Sequence, residues 1–356
     1  MNARTDLDYQ RSILPGVSRT FALTIPVLPG ELATVVTNAY LLCRVADTIE
    51  DDAGLDDRQK THFHTRFVRV VEGLEPADAF AAELAPLLSD RTLEDERDLV
   101  RNTARVIRIT HSFSSAERDA LTRCVRIMCR GMPAFQRNKS PVGLASLRNL
   151  DEYCYYVAGV VGEMLTELFV LHCPELVTKR EQMLQLAVSF GQGLQMTNIL
   201  KDIWDDRQTG TCWLPRSVFE QHGFDLKNLE SAHGSPEFAA GLNDLVGIAH
   251  AHLRNALEYS CLIPKREAGI RKFCLWAIGM AVLTLRRIHE NPAFSSGSEV
   301  KISRRAVKAT VVTTNLLLRS NRGLRIAFDR AVAGLPLQRS DVGLPRPSYG
   351  PASGVS

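Results

Sequence analysis

No two of the eight cysteines (Cys43, Cys124, Cys129, Cys154, Cys173, Cys212, Cys261, Cys274) form a CxxC pair, which argues against a zinc framework or a thioredoxin-like redox motif. Most of these thiols fall in apolar, helix-like stretches, the pattern of reduced core cysteines in a cytoplasmic protein. The first ten residues, MNARTDLDYQ, lack an apolar stretch, so no secretory signal is read there. Uninterrupted apolar runs of bilayer length are missing as well. The best, Ala306 to Leu318, is short and carries Lys308 and Asn315. The chain is therefore expected to be cytoplasmic and at most peripheral to a membrane. Neither GxGxxG after a strand nor the GxxxxGKS/T phosphate loop is present, so no Rossmann or P-loop nucleotide site is offered. A large charge imbalance is also absent. Lys and Arg number 43 against 40 Asp and Glu, a net +3, too little to make nucleic acid or an anionic membrane the main partner.

Helical periodicity is what the sequence has, from about Gly30 to about Val332, with almost no strand-type alternation. It predicts helices over Glu31–Glu50, Asp57–Val71, Pro76–Leu88, Glu94–Thr110, Ala116–Met132, Leu150–Cys173, Thr178–Asp205, Pro236–Tyr259, Lys265–Asn291 and Arg304–Ala331. No internal stretch resembles a linker. An all-α fold with one domain over residues 1–335 is expected, followed by a Pro-, Gly- and Ser-rich tail, 336–356, with too little to bury to be ordered.

Two of these helices carry acids where apolar residues should dominate. Asp47 and Asp51 lie four apart with Glu50 close by, and the same face runs back to Arg44 and Tyr40. Asp202 and Asp206 repeat the spacing, with Asn198 and Gln195 on their face. Like charges one turn apart destabilise a helix by roughly 0.2–0.5 kcal/mol, more when buried. One such pair is ordinarily a solvated helix end. Two pairs, each extended by a polar stripe through apolar surroundings, point instead to hard divalent cations, which take carboxylates together with substrate phosphates. Tyr153, Val157, Val161 and Leu165 form another stripe, one hydroxyl heading an apolar wall. By spacing alone that stripe is equally plain core.

These motifs resemble the phytoene/squalene synthase superfamily. Val17-Ser-Arg-Thr-Phe21, the Asp47-Thr-Ile-Glu-Asp-Asp52 box, Tyr153-Cys-Tyr-Tyr-Val-Ala-Gly-Val-Val-Gly162 and Gln195 to Asp206 occur in its order. The VSRTF and DTIEDD forms, with Phe273-Cys-Leu-Trp and Val300-Lys-Ile-Ser-Arg-Arg305, are similar to its squalene synthases. The resemblance implies an isoprenoid-synthase-like helical bundle around a central prenyl-diphosphate cavity. It implies head-to-head condensation of two farnesyl diphosphates to presqualene diphosphate, followed by reduction to squalene with Mg2+ and NADPH. Dehydrosqualene or phytoene synthesis, or release of presqualene diphosphate, are the alternatives. It also implies a monomer.

By the same resemblance Asp47, Glu50, Asp51, Asp202 and Asp206 are the magnesium and diphosphate acids. Ser18, Arg19, Tyr40, Arg44, Gln195 and Asn198 contact diphosphate or support that shell. Tyr153 handles the proton near the departing diphosphate, and Val157, Val161 and Leu165 line the prenyl tunnel. Phe21 and Phe273 flank the cation, and Lys301 and Arg304 offer charge to NADPH. Thr211 stands where the family usually has an Arg, with Arg207 or Lys201 as stand-ins. The polar tail fits an unanchored enzyme of bacterial type.

Overall fold

A computed structural model describes residues 3–137 and 140–338, and all of its regular elements are helical apart from one isolated bridge, Leu144 to Pro215. The first half runs through α1 (Ala3–Val17), α2 (Arg19–Thr24), α3 (Gly30–Asp51), α4 (Asp57–Val71), α5 (Ala77–Leu84), α6 (Glu94–Arg101), α7 (Thr103–Ser112) and α8 (Ser115–Arg137). Next come α9 (Leu147–Cys154), a π-helical turn at Tyr155–Gly159, α10 (Val160–His172), α11 (Arg180–Lys201), α12 (Ile203–Gln208) and α13 (Arg216–Glu220). The last four are α14 (Pro236–Leu262), α15 (Ala268–Glu290), α16 (Arg304–Leu317) and α17 (Asn321–Ala331).

The core is built on α3, α11 and α14. Leu41, Leu42, Val45 and Ile49 of α3 are fully buried, each stabilising the fold by roughly 1.5–3 kcal/mol relative to exposure. Against α11, the segment from Ala158 to Gly162 approaches at backbone distance. A Cβ on Gly162 would lie 2.3 Å from the Ala187 carbonyl oxygen, and one on Gly191 2.3 Å from that of Ala158. Only glycine permits that approach. All eight cysteines are free and seven are buried. Burial pushes the thiols of Cys129, Cys154 and Cys274 up, the last to about 12. They are inert core residues.

The predicted helices are found, with informative differences. The stretch expected as Glu94–Thr110 breaks at Asn102, whose side chain turns back onto the Asp98 carbonyl (2.9 Å). The last predicted helix breaks at Ser320, which caps α17 through Gly323 N–H. Helix α1 lies outside the predicted set because Pro15 and its polar residues hide it. Tertiary bonds hold it: the buried Asp6 accepts from Arg105 and Arg108, and Gln10 joins a buried network with Asn38 and Thr110. The segments Leu147–His172 and Ala268–Glu290 are each long and apolar enough to span a bilayer by length and composition, which inspection for uninterrupted apolar runs did not show. Both lie mostly buried in the bundle. Of the expected tail, Pro336–Gln338 pack on α14: His250 Nδ1 donates to the Pro336 carbonyl (2.8 Å) and Gln338 Nε2 to Asp244 (2.8 Å). Residues 339–356 lie outside the described residues.

Arg271 is fully buried. Its guanidinium donates to the carbonyls of Ser260 (3.1 Å), Ile263 (2.8 Å) and Leu318 (2.9 Å) and to Asn321 Oδ1 (2.7 Å). The orphan carbonyls at the ends of α14 and α16 thus share one cation, placed where helix dipoles favour it. This peg sets the corner between α16 and α17. Arg271→Met is expected to cost at least about 3 kcal/mol by stranding those carbonyls. A urea midpoint equal to that of the parent would contradict it.

Two buried rings set an acid limit. His64 reaches the Ala46 carbonyl (3.1 Å) and His252 shares a 2.7 Å bond with Ser189 Oγ. Burial lowers both to about 4. The unfolded chain takes up these protons near pH 6.5, so their contribution to stability is complete above that value and lost as pH falls toward 4. Each can contribute a slope of about 1.4 kcal/mol per pH unit. Replacing both by Gln is expected to flatten the fall in urea midpoint between pH 6.5 and 4.5.

Candidate active site

Helix α3 presents Tyr40, Arg44, Asp47 and Asp51 along one face. The chain enters this face through Ser18, whose Oγ caps α2 by accepting from Phe21 N–H (3.0 Å). Tyr40 OH donates to the Val17 carbonyl (2.8 Å) and accepts from Arg44 (3.2 Å). Arg44 also faces Glu96 of α6 (3.5 Å), an acid outside the expected site. Burial opposes its charge, yet Asp47, Tyr40 and Glu96 hold the guanidinium firmly protonated. Its Nε atom is buried without a partner.

Asp47 has no full countercharge. Burial, with repulsion from Asp51 and Glu96, pushes it up to about 7 despite Arg44. Glu50 is 3% exposed, buried behind the face, while Asp51 is exposed. The last acid of the box, Asp52, has another task. It accepts from Gly54 N–H (2.7 Å), Ser89 N–H (2.9 Å), Ser89 Oγ (3.1 Å) and Thr92 Oγ1. Burial alone would raise it, but these donors hold it below the usual carboxylate range. Asp52 clamps the turn after α3.

The second box departs from a continuous helix. Helix α11 ends at Lys201, Asp202 leaves helical geometry (φ −99°, ψ 13°), and α12 restarts at Ile203. The bond from Asp206 N–H to the Asp202 carbonyl (2.9 Å) preserves the one-turn spacing of the two acids. Lys201 Nζ lies 3.0 Å from Asp202. Burial raises Asp202, Lys201 works against that, and Asp205 adds to it. Gln195 and Asp206 are half-buried and Asn198 is exposed. A loop absent from the predicted set closes on this break. Phe294 and Val300 anchor it in the core, and an added Cβ at Gly297 would lie 3.1 Å from the Lys201 carbonyl and 3.2 Å from carboxylate oxygens of both Asp202 and Asp205.

Both boxes lead to Tyr153. Beyond Asp206, Thr211 N–H bonds to the Asp206 carbonyl (3.0 Å). The chain then zips to residues 140–144, through Cys212 N–H to Ser140 O (3.0 Å) and Leu144 N–H to Leu214 O (2.9 Å). Gly143 makes this possible, with φ +88° and room for no side chain: a Cβ would sit 2.4 Å from Leu214 O. The strap lays Trp213 flat on Tyr153, ring centroids 3.9 Å apart. Burial raises the Tyr153 hydroxyl, and Glu50, Asp51 and Asp47 of α3 add to it, so the first acid box faces the same ring. Thr211 is buried with its hydroxyl unpartnered. Arg207 is turned away to the Pro141 carbonyl (2.7 Å). Of the two stand-in cations, Lys201 touches Asp202 of the box.

An aromatic line leaves this region. Phe21 lies 5.0 Å from Tyr40 and 6.4 Å from Phe273, and Phe273 lies 6.2 Å from Phe169. Phe169 was not singled out by the sequence. Val157, Val161 and Leu165 are partly buried, beside the buried Val160, Met164 and Leu168, and the π turn at Tyr155–Gly159 resets their register relative to Tyr153. Lys301 and Arg304 are exposed at the start of α16. For Arg19 the backbone opens α2; its side chain lies outside what is described.

Residues 14–306 match the family model of squalene/phytoene synthase. The chain belongs to that family. It is 30% identical over 285 residues to the squalene synthase of Candida albicans, covering 79% of this chain and 61% of that one. It is 28% identical over 305 residues to squalene synthase 1 of Arabidopsis thaliana, covering 85% and 69%. The chain thus spans about three-fifths of the Candida protein's length. Among solved structures, the complex of TcSQS with the ligand BPH1237 superposes with a TM-score of 0.76 at 25% identity, covering 94% of both chains. A dehydrosqualene synthase shares the fold at 22% identity (TM-score 0.68; 89% of this chain, 98% of that one). The isoprenoid-synthase-like all-α fold expected from the sequence is therefore present.

Within the family's DTIEDD box, Asp51 and Asp52 should behave oppositely on mutation. Asp52→Ala is expected to lose about 2–4 kcal/mol of stability by removing four hydrogen bonds. Asp51→Asn, exposed and among like charges, is expected to leave the urea midpoint unchanged or raise it. Equal losses would remove the distinction.

Proposed function

We propose that the chain is a Mg2+-dependent prenyltransferase that condenses two farnesyl diphosphates head to head and reduces the product to squalene with NADPH. The observation carrying this reading is the Tyr153–Trp213 stack, with the α3 acids acting on the Tyr153 hydroxyl and the second box joined to Trp213 by the strap.

The donors fit magnesium. Asp47, Asp51, Asp202 and Asp206 offer hard oxygens only, and among the described residues no three Asp, Glu, His or Cys side chains form a ready cage. That suits an ion which keeps water and completes its shell with phosphate oxygens. When bound, Mg2+ draws charge from the leaving diphosphate. For NADPH the chain offers Lys301 and Arg304, both exposed and unpaired; the cofactor supplies the hydride for the final reduction.

The chain's own residues do the rest. The Arg44 guanidinium, its Nε free of protein partners, meets diphosphate oxygens beside Asp47. Loss of diphosphate from C1 of one substrate leaves an allylic cation. The C2–C3 double bond of the second substrate attacks it, and a proton leaves as the cyclopropane of presqualene diphosphate closes. Tyr153, with its hydroxyl raised and set among the α3 acids, stands where that proton passes to the departing diphosphate. Loss of the second diphosphate, rearrangement and hydride addition give squalene. Phe21 and Phe273 present ring faces to the cations, worth roughly 0.5–2 kcal/mol each. Val157, Val161 and Leu165 keep water away.

A second reading shares the first condensation and omits reduction, as in the dehydrosqualene synthase whose fold this chain shares. Incubation with farnesyl diphosphate and Mg2+, with and without NADPH, separates them. Squalene formed only with NADPH is expected; one non-squalene product in both incubations would refute the reductive half. Asp51→Asn and Asp202→Asn are expected to lower turnover by on the order of 100- to 1000-fold with folding intact. Tyr153→Phe should abolish condensation while Mg2+ and diphosphate binding persist. Gly297→Val, which presses on Lys201, Asp202 and Asp205, should raise the half-saturating Mg2+ concentration by about 10-fold or more, because small displacements are costly in a positioned site. An unchanged Mg2+ requirement would mean that the loop does not constrain the second box.

A further inference from the structure

Residues 301–328 contain seven Lys and Arg and no Asp or Glu. Because the whole chain carries only +3, the remainder is net negative. This basic segment comprises all of α16, the α16–α17 corner and most of α17. On α16, Arg305, Lys308, Val312 and Leu316, with Arg319 just past its end, recur every three or four residues and so share one face. Leu316 is 80% exposed and Val312 56%. On α17, Arg322 and Ile326 are one turn apart, and Ile326 is 43% exposed. The nearest acids are already engaged: Glu258 takes both arms of Arg325, and Asp329 pairs with Arg254. Arg305, Lys308, Arg319 and Arg322 make no ion pair among the described residues. Two large apolar side chains therefore stand on the outer surface of a helix, with unpaired cations at both ends of the stripe.

We propose that this α16–α17 face docks the protein on an anionic lipid surface, with Val312, Leu316 and Ile326 entering the headgroup boundary and Arg305, Lys308, Arg319 and Arg322 meeting lipid phosphates. Charge complementarity selects that occupant. An interfacial helix needs a modest apolar stripe beside basic residues, as here, and juxtaposed cations add attraction that fades within a Debye length. The net negative charge on the rest of the chain turns this face, rather than another, toward such a surface. The inference goes beyond the proposed reaction and does not need it. It does give a hydrocarbon product a bilayer to enter.

The test is flotation of the full chain with vesicles of pure phosphatidylcholine and with vesicles containing phosphatidylglycerol, at low and at physiological salt. Binding to the anionic vesicles alone, weakened by salt, is expected. Lys308→Glu/Arg319→Glu should weaken it by on the order of five-fold or more per charge, and Val312→Ser/Leu316→Ser should abolish it. Both pairs are solvent-exposed, so melting temperature and turnover of farnesyl diphosphate in detergent should be unchanged. As an independent readout, Leu316→Trp should gain a blue-shifted emission component with anionic vesicles. Equal binding to neutral vesicles, no loss in either double variant, or an unshifted Leu316→Trp spectrum would overturn the proposal. So would concentration-dependent dimers that Val312→Ser/Leu316→Ser dissolves while vesicle binding stays absent, since the face would then belong to a second copy.

Discussion

Negative charge held inside an apolar bundle without enough positive charge to match it is the constraint on which the rest of this structure turns. Asp47 sits on a helix whose other faces are fully buried, and its one cationic neighbour, Arg44, is divided among Asp47, Tyr40 and Glu96. Burying a carboxylate with a partial partner costs several kcal/mol, more than an intrahelical pair returns. The Mg2+ of the proposed reaction would offset that cost. The surrounding architecture then follows: rigid helices to hold the acids at fixed spacing, and close glycine contacts, as at Gly162 and Gly191, to hold those helices.

Departures from regular helix gather around that charge. The π turn at Tyr155–Gly159, the break at Asp202 and the strap between residues 140–144 and 211–216 all lie at or beside acid-box residues or Tyr153. Each does something a straight helix cannot. The π turn changes the angle between Tyr153 and the apolar stripe after it. The break lets Asp202 and Asp205 both meet the Gly297 loop. The strap brings Trp213 over Tyr153. Irregular backbone of this kind is tolerated where it positions side chains, and the regular part of the bundle, pinned at its far corner by Arg271, supplies the rigidity.

Much of this was legible in the sequence because it depends on spacing. The helices and the α3 acid face follow from periodicity, and the pairing of Phe21 with Phe273 follows from the family resemblance. What stayed hidden depends on contacts between distant segments. Glu96 looks like any first-turn acid until α6 is packed on α3. Spacing sets Asp51 apart from Asp52, but what Asp52 does shows only in the turn it clamps. Gly297 lies in a Ser-rich loop with no periodicity. Helix α1 carries a proline and few apolar residues, so its stability comes from Asp6, Gln10 and Tyr9 meeting partners elsewhere. Asn102 and Asp202 interrupt runs that local propensity would continue.

The substitution at Thr211 bears on how the two boxes divide their labour. An Arg in that turn would bring a cation to the second box. Here the buried Thr211 hydroxyl has no partner, and Arg207 braces the strap at Pro141 rather than turning inward. Lys201 lies 3.0 Å from Asp202. The second box thus carries an ammonium fixed at the end of α11, while in the first the Arg44 guanidinium is shared among Asp47, Tyr40 and Glu96. In the proposed reaction a diphosphate would meet acids that need metal to be compatible with phosphate on the first side and an ammonium beside Asp202 on the second. Lysine is a point donor and cannot grip two phosphate oxygens as a guanidinium does. Orientation of the leaving group in that reaction would then fall to the first side, where Arg44 has an unpartnered Nε.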